Sequence, residues 1–558
     1  MLIAGDLIGS NIRLGARGEL SVVSGGKKRF CLVLVKPSHY DDDGYVIQWF
    51  RSPIPSTSLA ALYGLAQDCA DRRVLGPDVE IDVHAFDETN TRIRCDRLAA
   101  MIDAADAGMV MLVGVQSNQF PRALDLATTL RTRDIPVAIG GFHVSGTLSM
   151  LDDAGPDLKR ATAMGVSLFA GEAEGRLERV LQDADAGVLA PLYNFMDDLP
   201  AIEGTPIPLL AAETVRRTAG GVTSFDAGRG CPFQCSFCTI INVQGRKSRR
   251  RSPADVEKIV RLNYAEGMRS FFITDDNFAR NKDWEPILDR LIDLREVEKL
   301  NIGFIIQVDT LCHRLPNFIE KCARAGVRRV FIGLENINPD NLLGAKKRQN
   351  KITEYREMLL AWKAARVVTY AGYILGFPND TPASIAHDID VIKRELPVDL
   401  LEFFYLTPLP GWRGPPQAGE GRHPARFRPE QVRPQSRDHR PPSDVAGGVG
   451  AHLSERMAAL LHDRSHQDRA SPPGFGGSQR GQRVVLAHLV QGQHRFREHA
   501  SARMRVSAPQ VPPRSTTWLP DRAGLALLSE VPHGDRRESG ALDLAVSAAA
   551  ASLSAHQK

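Results

Sequence analysis

The stretch Thr223-Ser224-Phe225-Asp226-Ala227-Gly228-Arg229-Gly230-Cys231-Pro232-Phe233-Gln234-Cys235-Ser236-Phe237-Cys238 joins a β-rich run to three cysteines spaced C-x3-C-x2-C. Structural zinc takes four protein ligands. Here a fourth is missing nearby: no histidine lies between His143 and His313, and the next cysteine is Cys312. Thiolate-rich sites favour zinc or iron–sulfur clusters. Three thiols without a fourth point to a cluster with one iron left open. Gly228, Gly230 and Pro232 discourage a helix through the loop, so Cys231, Cys235 and Cys238 do not read as one buried helical face. A ligand loop at the end of a strand is where an α/β fold keeps its chemistry.

Downstream, the strand-then-helix rhythm repeats. Candidate strands lie at 223–227, 270–274, 302–307, 329–334, 367–375 and 400–407, with helical patterns between them. Ser252-Pro253-Ala254-Asp255 supplies a helix start: a serine cap, proline in the first turn and an acid three residues on. Six such units predict a partial (β/α)6 TIM-type barrel, with function at the carboxyl ends of its strands.

Upstream, residues 30–185 alternate in the same way. Phe30-Cys31-Leu32-Val33-Leu34-Val35, Met109-Val110-Met111-Leu112-Val113-Gly114-Val115 and Ile135-Pro136-Val137-Ala138-Ile139-Gly140-Gly141 are near-continuous apolar runs, the pattern of strands buried on both faces. A further strand is predicted at 79–86, and helices at 58–70, 97–105 and 121–133. The pattern predicts a doubly wound, Rossmann-like α/β domain. The expected layout is an N-terminal extension (1–29), this domain (30–190), a proline-containing linker (191–220), the barrel (221–411) and a tail (412–558).

With these segments in place, the chain resembles the radical SAM superfamily, Phe237 matching its aromatic residue before the last cysteine. The resemblance implies that Cys231, Cys235 and Cys238 hold a 4Fe–4S cluster. Its open iron would bind the amino and carboxylate groups of S-adenosylmethionine, and electron transfer would cleave the sulfonium to methionine and a 5′-deoxyadenosyl radical. Thr274-Asp275-Asp276-Asn277-Phe278 is similar to the family's D-D-N-F segment. Gly333-Leu334-Glu335-Asn336 is similar to its G-x-E segment, near the methionine and ribose. Gly372-Tyr373-Ile374-Leu375-Gly376-Phe377-Pro378 is similar to its G-x-I-x-G-x-P segment, near adenine. Phe237, Asp275, Asp276, Glu335, Gly372 and Gly376 are thereby implied as cofactor-binding. Read by themselves, Asp275 and Asp276 also suit a helix cap and a solvated turn, and the glycines suit tight turns.

Residues 30–190 resemble the cobalamin-binding module often fused ahead of this barrel. The match rests on Pro37, Gly140-Gly141-Phe142-His143 and Gly171-Glu172-Ala173-Glu174. It implies Gly140, Gly141 and His143 at the cobalamin; a packed histidine is the other reading of His143. The D-x-H-x-x-G motif is absent, and His39 precedes Asp41-Asp42-Asp43-Gly44, which reads as a solvated acidic turn. A bound cobalt would then lack a lower histidine ligand.

A formal net charge of +4 over 558 residues excludes bulk attraction to nucleic acid or membrane. No spanning apolar run is present. Eight cysteines in so long a chain are no disulfide scaffold. Cys31, Cys69, Cys95, Cys312 and Cys322 read as small buried residues, and reduced thiols place the protein in the cytoplasm. Gly245-Arg246-Lys247-Ser248-Arg249-Arg250-Arg251 reads as a solvated connector, one of whose arginines neutralises a carboxylate or phosphate near the site. The tail changes composition: residues 413–558 contain no Ile, Asn, Tyr or Cys, and their only lysine is Lys558. Such a segment is expected to be disordered. We read the break as a slipped reading frame near Gly411, because the missing residue types need AT-rich codons.

The expected protein is a cobalamin-dependent radical SAM enzyme that methylates an unactivated carbon of a small-molecule substrate. The resemblance implies an electron donor such as flavodoxin or ferredoxin. A methylthiotransferase, another radical rearrangement and a catalytically impaired product of a frameshifted gene stand as alternatives.

Overall fold

The computed structural model describes residues 27–407 apart from positions 42, 53, 54, 152 and 153. It also gives the backbone of an antiparallel strand pair, β1 (Ile12–Leu14) and β2 (Leu20–Val22). The tail and its frame question lie outside the described residues.

The first unit runs β3 (Lys28–Lys36), α1 (Thr57–Asp71), β4 (Val79–Asp87), α2 (Cys95–Asp103), β5 (Ala107–Leu112), α3 (Phe120–Arg131), β6 (Val137–Gly140), α4 (Phe142–Met150), α5 (Gly155–Ala163), β7 (Ser167–Ala170), α6 (Leu177–Asp185) and β8 (Leu192–Asn194). Its six strands are parallel, in the order β4-β3-β5-β6-β7-β8. Alternation along β3 explains its continuous apolar run. Phe30, Leu32 and Leu34 pack with Leu59 and Leu65 of α1 and Val180 and Leu181 of α6. Cys31, Val33 and Val35 pack on the other face with Leu98 of α2 and Leu124 and Ala127 of α3. The expected doubly wound fold is present, and its strand order reverses beside β3, opening a crevice at the carboxyl ends of the strands.

The expected linker is more ordered than its prolines suggest. It contributes β8 to the first sheet. Leu209 then donates its N–H to the Ala60 carbonyl at 3.1 Å, on α1. A Cβ on Gly64 would lie 2.0 Å from the Ile207 carbonyl oxygen, so the helix is glycine where this segment crosses it.

The second unit runs α7 (Ala212–Arg216), β9 (Val222–Phe225), β10 (Gly228–Arg229), α8 (Ile240–Val243), β11 (Arg249–Arg250), α9 (Pro253–Ala265), β12 (Ser270–Ile273), α10 (Trp284–Ile292), β13 (Gly303–Val308), α11 (Phe318–Ala325), β14 (Val327–Glu335), α12 (Pro339–Gly344), α13 (Tyr355–Ala364), β15 (Val368–Leu375), α14 (Pro382–Glu395) and β16 (Leu400–Tyr405). Strands β9, β12, β13, β14, β15 and β16 lie parallel in chain order. Among the described residues β9 and β16 do not pair, which is the partial barrel expected. Phe271, Ile306, Ile332 and Tyr373 face the helices, while Val222, Phe272 and Ile305 form a small cluster on the opposite face. Helix α9 starts as the sequence predicts: Ser252 Oγ accepts from the Asp255 N–H at 3.1 Å, and the Asp255 carboxylate accepts from the Ser252 N–H at 3.0 Å.

The two units share one apolar core, in which α1 packs on both sheets. At the start of α1, Thr57 Oγ1 and Ser224 Oγ of β9 are 2.9 Å apart. This contact ties α1 of the first unit to β9 of the second. Among the described residues, no helix is long and apolar enough to cross a membrane.

Candidate functional site

The cysteine loop leaves the end of β9 and is closed by a two-residue clasp. Gly228 and Arg229 of β10 pair antiparallel with Arg250 and Arg249 of β11. Gly230 has φ +90°, and a Cβ there would lie 2.6 Å from the Lys247 carbonyl oxygen, so this turn needs glycine. Cys231 donates its N–H to the Gly245 carbonyl at 3.3 Å. Asp275 and Asp276 fasten the loop from β12. One Asp275 oxygen accepts from the Ala227 and Gly228 N–H groups at 2.7 and 2.8 Å, and the other accepts from Asn281 at 2.9 Å. Asp276 accepts from the Gly230 N–H at 3.3 Å. Both Asp275 oxygens are engaged, one by backbone and one by the Asn281 side chain.

All eight cysteines are free thiols. Cys31, Cys69, Cys312 and Cys322 are buried and Cys95 is half-buried, in keeping with small core residues. Burial pushes the Cys231 thiol up to about 11, with Asp276 adding to the shift. Burial and then Cys235 push Cys238 up to about 12. Without a metal these two thiols hold their protons at neutral pH, and metal binding must release them. Among the described residues no three Cys, His, Asp or Glu side chains are grouped to hold a single metal ion. A cluster makes a different demand, one thiolate per iron at separate corners.

A second loop, residues 345–350, packs against the first. Ala345 accepts from the Ser236 N–H at 3.0 Å, and Gln349 Nε2 donates to Cys235 Sγ at 3.4 Å. Lys347 forms a buried ion pair with Glu335, and its ammonium lies 5.6 Å from the Phe237 ring centre. Burial would depress the Lys347 ammonium, but Glu335 and then Cys235 hold it charged, above the ordinary lysine range. Glu335 ends β14 at φ +63°, where the register with β15 shifts. A side chain other than glycine, asparagine or aspartate in this region is strained. Asn350 stabilises the bend by donating to the Gly333 and Leu334 carbonyls at 3.1 and 2.8 Å. The sequence reading found Glu335 but missed Lys347 and Gln349. Their signal was the polar run Lys346-Lys347-Arg348-Gln349-Asn350 after a strand end.

Phe237 meets Phe377 edge to face, with ring centres 6.3 Å apart. These rings line a cavity of about 180 Å³ with Asn341, Ala345, Pro378 and Leu406. Its walls are mainly aromatic and aliphatic, with Ser236, Asp340 and Asn379 also lining it. Gly376, at φ +92°, makes the turn that presents Phe377, and Asp380 fixes that turn by accepting from the Gly376 and Phe377 N–H groups at 2.8 and 2.9 Å. Gly372 lies inside the barrel; a Cβ would meet the Phe331 and Phe404 rings at 2.9 and 3.0 Å. Phe237 lines this cavity, Gly376 makes the turn that presents Phe377 to it, and Gly372 sits against the Phe331 and Phe404 rings.

The basic run corrects one expectation. Arg246 and Lys247 are exposed, but the other arginines are not a solvated connector. Arg251 is fully buried and donates to the Asp226 carbonyl at 3.0 Å. Arg249 pairs with Glu172 of the first unit. Arg229 meets Asp226, Glu172 and Glu174, each at 2.6 Å. The Gly171-Glu172-Ala173-Glu174 segment is thus ion-paired to the residues flanking the cysteine loop. The expectation that an arginine of this run neutralises a carboxylate is met by Arg249.

At the first sheet's carboxyl edge, Gly141 has φ +144°, and a Cβ there would overlap Val115 N at 2.2 Å. His143 is buried against Phe120, with ring centres 4.1 Å apart, and its Nδ1 lies 3.2 Å from Ser117 Oγ. Burial lowers its pKa to about 4, so the ring is neutral at pH 7. Its Nε2 has no hydrogen-bond partner among the described residues, and neither do Thr147 Oγ1, Gln119 Nε2, His39 Nδ1 and Asp87 Oδ2 at the same edge. Buried polar atoms are normally satisfied. Asp41 organises its own turn by accepting from the Asp43 and Tyr45 N–H groups.

Residues 226–392 match the Radical SAM superfamily. The chain carries a radical SAM domain. The chain is 26% identical over 321 residues to the bacteriochlorophyllide d C-8(2)-methyltransferase of Chlorobaculum tepidum, covering 54% of this chain and 66% of that protein. It is 26% identical over 320 residues to the hopanoid C-2 methylase of Rhodopseudomonas palustris, covering 55% of this chain and 56% of that one. It thus spans less than two thirds of either relative. Its fold is similar to that of the radical S-adenosylmethionine methyltransferase TsrM from Kitasatospora setae, solved with cobalamin and a [4Fe-4S] cluster bound. The TM-score is 0.51 at 18% identity, covering 69% of this chain and 74% of that one.

Proposed function

We propose that this protein is a cobalamin-dependent radical SAM enzyme that methylates an unactivated carbon of a small molecule. The observation that carries the reading is the three-thiol loop, clasped at the carboxyl end of β9 and packed against Ala345, Lys347 and Gln349. The donor set fits a cluster with one iron free for an aminoacyl group. Cys231, Cys235 and Cys238 would hold it, and the Phe237–Phe377 cavity, aromatic with polar groups at its wall, would suit an adenine ring. The orphaned polar atoms at the first sheet's edge fit a large ligand rich in hydrogen-bonding groups, as a corrin is. Bound together, these groups supply a 5′-deoxyadenosyl radical and a methyl carrier.

The chain's own part is to bind, orient and exclude water. Asp275 and Asp276 fix the cysteine loop. Glu335, ion-paired with Lys347, would turn its carboxylate toward the methionine and ribose of bound S-adenosylmethionine. Arg229 and Arg249 hold the first unit's edge against the loop, setting the separation of the two cofactor sites. His143, neutral and buried, would offer Nε2 to a corrin substituent. A low-potential electron donor of the flavodoxin or ferredoxin type, and a cytoplasmic setting that keeps the thiols reduced, complete the reading.

The test is Cys235→Ala in anaerobically reconstituted protein. Iron–sulfur absorbance and S-adenosylmethionine cleavage should both disappear. A variant that keeps its cluster and still releases 5′-deoxyadenosine defeats the ligand assignment. Corrin content of the wild type decides the cobalamin half: a full cluster without corrin moves the protein to cobalamin-free radical chemistry.

A further inference from the structure

The 345–350 loop touches the cysteine loop at sulfur itself, and neither Gln349 nor Lys347 belongs to the cysteine motif. Gln349 is buried, and its amide N–H points at Cys235 Sγ from 3.4 Å. Its backbone is held on the other side, where the Gln349 carbonyl accepts from Thr310 Oγ1 at 3.5 Å. Lys347 is buried beside it. Glu335 keeps the ammonium in place, and the left-handed bend of Glu335 brings that carboxylate round to meet it. A Cβ on Gly333 would lie 2.5 Å from Glu335 Oε1 and 3.3 Å from Lys347 Nζ, so the strand is glycine where the pair crosses it. Three unusual features converge here: a strained glutamate, a buried ion pair and an amide aimed at a sulfur.

We propose that Gln349 and Lys347 are positioning residues that set the reduction potential of the cluster held by Cys231, Cys235 and Cys238. The inference rests on the cluster reading above. Reduction adds one electron to a thiolate-ligated cluster, and the added charge spreads onto its sulfurs. A hydrogen-bond donor and a fixed cation at the sulfurs stabilise the more negative, reduced state, and burial strengthens both effects. Their removal must therefore move the potential downward.

The experiment uses the full chain, reconstituted anaerobically with iron and sulfide and titrated with dithionite, without S-adenosylmethionine, while the reduced cluster is followed by electron paramagnetic resonance. Gln349→Leu should keep its iron and shift the midpoint to lower potential. Gln349→Glu, similar in size, should shift it at least as far, because a carboxylate replaces the donor. Lys347→Met combined with Glu335→Gln removes the cation without stranding a buried carboxylate, and should give a second downward shift. Should Gln349→Leu lose iron, the Gln349→Glu result decides. Full iron content with a midpoint equal to wild type in either Gln349 variant overturns the proposal. Wild-type protein that assembles no cluster overturns the cluster reading itself, a distinct result.

Discussion

Replacing Arg229 by Met removes the guanidinium that joins the two units and leaves side-chain volume nearly unchanged. Three carboxylates meet that group at 2.6 Å. Glu172 keeps Arg249 and Asp226 keeps Arg251 at 3.6 Å, but Glu174 has no second ion-pair partner among the described residues. Removing one partner of a buried pair costs about 3–5 kcal/mol. With two of the three acids still paired, the lower end applies, about 3 kcal/mol, or roughly a hundredfold in the folded-to-unfolded ratio. The assay is urea-dependent pulse proteolysis of the full chain at pH 7. Adding Glu174→Gln to the Arg229→Met variant should restore at least half of the loss, since the double change removes the stranded charge. A loss under about 1 kcal/mol, or no recovery in the double variant, refutes the reasoning. The pH arm has a defined sign. Burial would raise the Glu174 carboxyl, but Arg229 outweighs it and holds the group below the usual range. A depressed carboxylate contributes stability above its unfolded pKa of about 4, and that contribution is lost as pH falls through the lower folded value. Wild type and variant should therefore converge below about pH 4.

Two further outcomes are expected. Gly141→Ala places a methyl 2.2 Å from Val115 N at a backbone angle that L-residues avoid. Corrin retained per chain after anaerobic gel filtration should fall well below the wild-type value, while iron content stays near it. Ser252→Ala removes the cap of α9 and should lower stability by about 1 kcal/mol, read as a shift in urea midpoint at unchanged slope.

The domain pair was legible because both sheets write themselves in apolar periodicity. Buried parallel strands need apolar residues on both faces, so β3 and β5 stand out as near-continuous runs. The cysteine loop was legible because ligand spacing is local. Loop-holding roles were not. Asp275 and Asp276 invite a cofactor reading, yet Asp275 also accepts from two backbone N–H groups of the cysteine loop and from the Asn281 side chain. The arginines at 249–251 look solvated in sequence because charge runs usually are, but their partners Glu172 and Asp226 lie on other segments. Composition alone also hid β8, whose short run sits among prolines and is fixed by pairing with β7.

The sequence by itself determined the two α/β units, most of their strands and helices, and the three-thiol loop at a strand's end. These follow from local rules, either side-chain periodicity or ligand spacing. Only the tertiary structure decided which charges neutralise one another between the units, that Lys347 and Gln349 stand at the cysteine loop, and that Glu335 is bent to meet Lys347. Each of those depends on segments far apart in the chain being brought within a few ångströms, and burial then makes their electrostatics strong.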